Sequence, residues 1–274
     1  MSYLNFKPVT SGERLFQHIL KEVVGFESLD EARTLSYFKY GGRLEQFGEY
    51  FIGAYVFNLT GRCIKKARRI RDTVDLESRH QAELLKFFRT QLEMASFANE
   101  RNLERLSILA FEAADNSGKK ISRSTKKFVR GEKEVHDCYI CGKRVVHNSD
   151  DLEVVLKYEH IWPSAYGGDS IEENLLPSCN KCNEKKDDML LWQDGHVHSF
   201  ILRPDPSEQE WKSIKRREKI SKHRWRIFKL ANDKEMSLKE AAIEIGPFNV
   251  DPSALYAVDE EDSVDFFNFD IRGL

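Results

Sequence analysis

The sequence predicts an α+β chain that is mostly α: a helical N-terminal region, a small metal-bound ββα module and a C-terminal helical extension. Three observations predict it. Apolar residues recur at helical spacing through the first 130 residues. Four cysteines in two CxxC pairs, Cys138/Cys141 and Cys179/Cys182, bracket two short apolar runs. A basic stretch with its own apolar spacing follows the break at Pro204-Asp205-Pro206-Ser207. The expected regions are residues 1–130, 131–200 and 201–274.

In the first region, Leu15, Ile19 and Val23 share one face of a helix starting near Ser11. Glu49 to Phe57 is apolar enough for a buried helix or strand. Leu84, Leu85, Phe87, Phe88, Leu92, Met94 and Phe97 continue the pattern, as do Leu103, Leu106, Leu109 and Phe111. A helical bundle is the plain expectation, with no catalytic motif in it. Asp115 to Lys127 is polar, basic and rich in turn formers, and reads as a linker or exposed loop.

Composition narrows the function classes. The chain has 274 residues, 41% of them hydrophobic, and a formal net charge of -2, so any polyanion contact must come from local patches. No apolar run resembles a signal peptide or approaches a membrane span, so a soluble cytoplasmic protein with no membrane partner is expected. Four of the five cysteines stand in close pairs, which fits metal binding in a reducing compartment better than a disulfide framework. Cys63 stands apart and reads as a small buried hydrophobe.

Structural zinc takes four thiolates in a tetrahedron, and two CxxC knuckles supply them from two chain segments: Cys138, Cys141, Cys179 and Cys182. Gly142 permits the tight knuckle backbone. Binding worth roughly 10–16 kcal/mol in small zinc modules lets the metal stand in for a core. Four buried cysteines without metal are the alternative, which the repeated spacing disfavours. The cluster by itself implies structure, not catalysis.

Between the knuckles, Val154, Val155 and Leu156 open a strand ending at His160, in the run Tyr158-Glu159-His160-Ile161-Trp162-Pro163. A loop with Gly167-Gly168 follows, then a second strand from Glu173 to Ser178, then a helix start at Cys179-Asn180-Lys181-Cys182-Asn183. His160 suits a general base, because imidazole titrates near neutrality. Glu159 offers a hard oxygen for Mg²⁺ or Mn²⁺. Adjacent residues on a strand face opposite ways, so one of these two roles depends on the local twist or turn.

The stretch from Cys138 to about Lys186 resembles the HNH, or ββα-metal, endonuclease family: a CxxC, an acidic residue plus His, a nearby Pro, a Gly-Gly turn, Asn-Leu, and CxxCN with a trailing cation. The resemblance implies hydrolysis of phosphodiester bonds in DNA, with His160, Glu159, Asn174 and Asn183 as the catalytic set. Glu159 and Asn183 would hold a catalytic Mg²⁺ or Mn²⁺, and Asn174 would hold the loop that positions His160. The family's last signature position is His or Asn; here it is Asn183, an HNN variant suited to a hard ion rather than zinc. RNA is an alternative substrate, and a zinc-stabilised nucleic-acid-binding module without chemistry is another reading. Proteins of this layout are similar to restriction enzymes and to anti-phage effectors working beside an ATPase, so an ATPase is a possible partner.

Nucleic-acid contacts are expected from Lys186 or its neighbour Lys185, either of which could neutralise phosphate, and from Trp211 to Leu230. There Lys215, Arg216, Arg217, Lys222 and Arg224 would form a charged face opposite Trp211, Ile214, Trp225 and Phe228. A solvated amphipathic helix is the competing reading. Lys119 to Arg130 could clamp a backbone; the Arg62–Arg71 cluster reads rather as a solvated helix face. His196 and His198 read as an exposed strand, and His136 and His147 carry no assignment. Ser237 to Gly246 is loosely similar to the first helix of a helix-turn-helix, with no recognition helix after it. The acidic, aromatic tail Asp259–Asp270 reads as a solubilising end, or a docking segment.

Overall fold

The computed structural model describes residues 4–25, 42–96, 98–188 and 207–248, with backbone only for 42–51, 211–215 and 218. Phe97, His196, His198, the break at 204–206, the acidic tail and the side chains of Trp211, Ile214 and Lys215 lie outside the described residues. The chain is α+β and mostly helical, as its patterning predicts. It divides into two compact units.

One unit is Pro8–Lys120 with Trp162–Ser170. Helix α1 spans Ser11–His18. Thr10 caps it, and Glu13 closes a capping box by accepting from the Thr10 amide at 2.7 Å. The helix continues as a π-helical turn, Ile19–Gly25, and Leu15, Ile19 and Val23 are all buried, as their spacing predicts. Next come α2 (Gly42–Thr73), α3 (Glu77–Thr90) and α4 (Glu100–Asn116). Both α1 and α2 pack against α4, which contributes Leu103, Leu106 and Ala110. Val56, Phe57 and Cys63 are buried from α2, and burial pushes the Cys63 thiol up to about 12.

Trp162–Ser170, which sequence reading makes a simple turn, is built into this helical unit. Trp162 is fully buried, with its ring 5.3 Å from Phe16 and 5.4 Å from Phe57. Its indole donates to the Tyr166 carbonyl at 2.9 Å. The Gly12 amide donates to the Gly167 carbonyl at 2.8 Å, and Asp169 Oδ2 accepts from the Ser11 amide at 3.1 Å. The glycine pair is required: Gly167 has φ +79°, and a Cβ on Gly168 would lie 1.9 Å from the Trp162 carbonyl oxygen.

The other unit comprises residues before Pro8, Ile121–Ile161 and the described residues from Ile171 onward. The segment expected to be a linker ends in a helix, α5 (Arg123–Arg130), because Ser122 caps it by accepting from the Thr125 amide. Two antiparallel pairs follow. β1 (Val135–Asp137) joins β2 (Arg144–Val146), and β3 (Leu156–His160) joins β4 (Leu175–Cys179) with Glu159 opposite Leu176 and His160 opposite Leu175. Helix α6 (Asn180–Lys186) leaves β4 directly. A 3₁₀ turn, Glu172–Asn174, takes the start of the expected second strand.

Helix α7 (Glu208–Asp233) opens on a Ser207–Glu210 capping box, and α8 (Leu238–Ile245) on a Ser237–Glu240 box. Both sequences carry Ser-x-x-Glu at the start. The inward side of α7 is Ile220, His223, Arg224, Ile227, Phe228 and Ala231. This corrects the expected polarity, because Arg224 faces in with Phe228, while Trp225 is half-buried under Lys229. Phe6 packs edge-on against Phe228 at 5.4 Å, tying the chain start to α7.

Candidate functional site

The first knuckle is made by backbone geometry. The Gly142 amide donates to the Cys138 carbonyl at 2.8 Å, the Cys138 amide to the Lys143 carbonyl at 2.9 Å, and Gly142 has φ +71°. The second knuckle follows from β4 running into α6, with Cys179 as the N-cap and Cys182 in the first turn. The Tyr139 amide donates to the Pro177 carbonyl at 3.0 Å and joins the two.

All four sulfurs lie within 4.8 Å of one another, and Cys141 Sγ is 3.8 Å from Cys179 Sγ. A tetrahedron with Zn–S bonds of about 2.3 Å has edges of about 3.8 Å, so the cluster fits zinc. Among the described residues it is the only group of three or more His, Cys, Asp or Glu placed to hold a metal. Hydrogen bonding among the thiols, chiefly with Cys138, lowers Cys141 to about 7 and lowers Cys179, and the same bonds raise Cys138 and Cys182. Arg216 donates to Cys182 Sγ at 3.2 Å. Lys143 and Lys181 line a cavity of about 300 Å³ over Cys141 and Cys179, and Glu153 bridges the two lysines at 3.1 and 2.8 Å. Cations therefore surround a cluster that carries negative charge when thiolate.

The second centre lies where β3 meets α6. The β3 pattern turns Glu159 inward, 4% exposed, and leaves His160 half-buried. Asn183 and Lys186 are three apart on α6 and so share a face. Both reach Glu159: the Asn183 amide donates to Oε2, and Lys186 Nζ donates to Oε1 at 2.7 Å. Lys186 also donates to the His160 carbonyl at 2.7 Å. Burial pushes the Glu159 carboxyl up and the Lys186 ammonium down, and their mutual attraction opposes both shifts. Burial, reinforced by the Lys186 charge, lowers His160 to about 4. Its imidazole is thus neutral at neutral pH and able to accept a proton; an approaching phosphate raises its basicity.

Asn174 is buried, and its backbone carbonyl accepts from the Ile161 amide at 2.9 Å, beside His160. The donor set for a hard ion is Glu159 with Asn183. Half a turn of the Asn183 amide exchanges its nitrogen for oxygen and sets two hard oxygens together. Magnesium commonly takes one or two protein oxygens and completes its shell with water and phosphate, so these donor types suit such an ion once the Asn183 hydrogen bond to Glu159 is given up.

Two expected nucleic-acid contacts are corrected. Lys186 is 1% exposed and committed to Glu159, because α6 places it against β3 rather than solvent. Arg224 is 2% exposed and donates to the Ile161 carbonyl at 3.2 Å. Arg216 is engaged with Cys182, while Arg217 and Lys222 are half-buried. Sequence reasoning missed the Lys186–Glu159 pair; its one signal is the three-residue spacing from Asn183.

Residues 138–193 match the family model described as HNH endonuclease. No curated protein and no solved structure matches the chain. The match covers both knuckles, β3, β4 and α6, and the clustered sulfurs fit a zinc-stapled HNH module over this segment.

Proposed function

We propose that the chain is a metal-dependent HNH endonuclease that hydrolyses phosphodiester bonds in DNA, serving restriction or anti-phage defence in a reducing, cytoplasmic compartment. The observation that carries the reading is the convergence of Glu159, Asn183 and Lys186 at the end of the strand that bears His160. No described helix is long and apolar enough to cross a membrane.

In this reading His160, neutral at working pH, takes the proton from the attacking water. Glu159 and Asn183 would hold Mg²⁺ or Mn²⁺, which when bound would supply charge neutralisation at the scissile phosphate and the leaving oxygen. Lys186 fixes the Glu159 carboxylate and the His160 backbone together. The backbone carbonyl of Asn174 braces the chain just after His160 through the Ile161 amide. The cysteine cluster with zinc would pin the β4–α6 junction to the first knuckle.

A module that binds without cutting has one observation in its favour: both Glu159 oxygens already accept hydrogen bonds. Incubating zinc-loaded protein with plasmid DNA and with RNA, under Mg²⁺, Mn²⁺ or EDTA, separates the readings. Nicking or linearisation of DNA that needs the divalent ion supports the proposal. Cleavage of RNA alone reassigns the substrate, and no cleavage of either under any ion favours the binding module.

A further inference from the structure

Helix α5 has no buried residue, four cations and no acid in Arg123–Arg130. A solvated helix usually mixes charge signs, and one that buries nothing is not held by an apolar stripe. Arg123, Lys126, Lys127 and Arg130 stand at i, i+3, i+4 and i+7, so all four cations lie on one face.

That face meets the strand of the candidate active site. Lys126 Nζ lies 5.8 Å from the centre of the Tyr158 ring. Tyr158 and His160 are two apart on β3, so they share a face of the strand. Tyr158 Oη and Arg130 Nε are both buried and make no hydrogen bond among the described residues. The helix itself packs on β4, the strand paired with β3, and on the Glu172–Asn174 turn.

We propose that the α5 stripe of Arg123, Lys126, Lys127 and Arg130 grips the DNA backbone on the His160 side of β3. This rests on the nuclease reading above for the choice of DNA. Seven residue steps of helix span about 10 Å, room for about three successive phosphates of one strand. The stripe replaces the buried Lys186 and Arg224 as the cationic contact beside the site.

The test uses the full zinc-loaded chain carrying His160→Ala, so that substrate stays uncut. Binding to labelled DNA and RNA duplexes is followed by fluorescence anisotropy across a salt series. The variant R123Q/K126Q/K127Q removes three exposed charges, and R79Q/K86Q/R101Q removes three exposed charges from the helical unit as a control. Zinc content and circular dichroism check folding. The α5 variant should bind DNA at least about tenfold more weakly near 0.1 M salt, with the salt slope shallower by about 2–3. The control should bind within about twofold of its parent, as charges off the path contribute little beyond a Debye length. An α5 variant equal to its parent in affinity and slope overturns the proposal, and divalent-dependent cleavage by wild type would then still stand. Weakened binding by the α5 variant, with no cleavage by wild type under any ion, leaves the grip standing and removes the nuclease reading. An effect confined to RNA overturns the choice of DNA.

Discussion

Removing the Lys186 ammonium should destabilise the nuclease unit more than removing the whole charge pair. Lys186 is 1% exposed and Glu159 4% exposed, and Nζ makes 2.7 Å contacts with both Glu159 Oε1 and the His160 carbonyl. In Lys186→Met the aliphatic stem still fills its space, but Glu159 keeps a buried charge with no cation bonded to it. Losing one partner of a buried pair costs about 3–5 kcal/mol. Glu159→Gln in the same chain removes the stranded charge, and such neutral double replacements often cost far less than the single break. Urea unfolding of zinc-loaded protein, followed by circular dichroism, reads the difference as a shift in midpoint at constant slope. The expected order is wild type, then Glu159→Gln/Lys186→Met, then Lys186→Met at least about 3 kcal/mol below wild type. A single variant within about 1 kcal/mol of wild type, or a double variant no more stable than the single, refutes the claim that the ammonium holds Glu159 in its charged form.

Three further outcomes follow from the same structure. Chelating the zinc should open four thiols to a disulfide reagent while Cys63, fully buried with its thiol pushed up to about 12, stays unreactive in folded protein; five reactive thiols under native conditions would contradict the packing of α2. Gly168→Ala sets a Cβ 1.9 Å from the Trp162 carbonyl oxygen, a backbone atom, so it should cost at least about 3 kcal/mol in thermal unfolding, above ordinary overpacking. His223 is buried, donates through Nε2 to the Gly246 carbonyl at 2.8 Å, and is lowered by burial to about 4. Its stabilising contribution is complete above the unfolded value near 6.5 and is lost as pH falls through that range toward about 4. Stability of wild type should therefore fall more steeply over this window than that of His223→Gln, whose amide can still donate to Gly246; parallel curves would exclude His223 as a source of the acid sensitivity.

Residue spacing made much of this site legible. Two CxxC pairs fix four ligands whatever lies between them, and the strand expected to end at His160 does end there, although it begins at Leu156 rather than Val154. The α1 face of Leu15 and Ile19 follows from period alone. Other features lack a one-dimensional signal. Lys186 at the end of a short helix reads as a solvated cation, and its commitment to Glu159 exists only once α6 crosses β3. On α7 the two tryptophans suggest the wrong helical phase, since Trp225 is half-buried while His223 and Arg224 go inward beside Phe228. β1 and β2 have three residues each, too few for an alternation to show. Trp162 and Tyr166 did carry a clue in the loop, because two aromatics between turn residues need something to pack against. Ser122, three residues before Thr125, marks the α5 start only when the basic run is read as helix rather than linker.

The most direct measurement is the single-turnover rate of DNA cleavage by His160→Ala against wild type, both zinc-loaded and saturated with Mg²⁺ or Mn²⁺. An imidazole that takes the proton from water contributes about 10²- to 10⁴-fold, so the variant should be slower by at least about a hundredfold with its DNA affinity unchanged. Equal rates would show that another group activates the water, and the chemistry assigned to the end of β3 would be wrong.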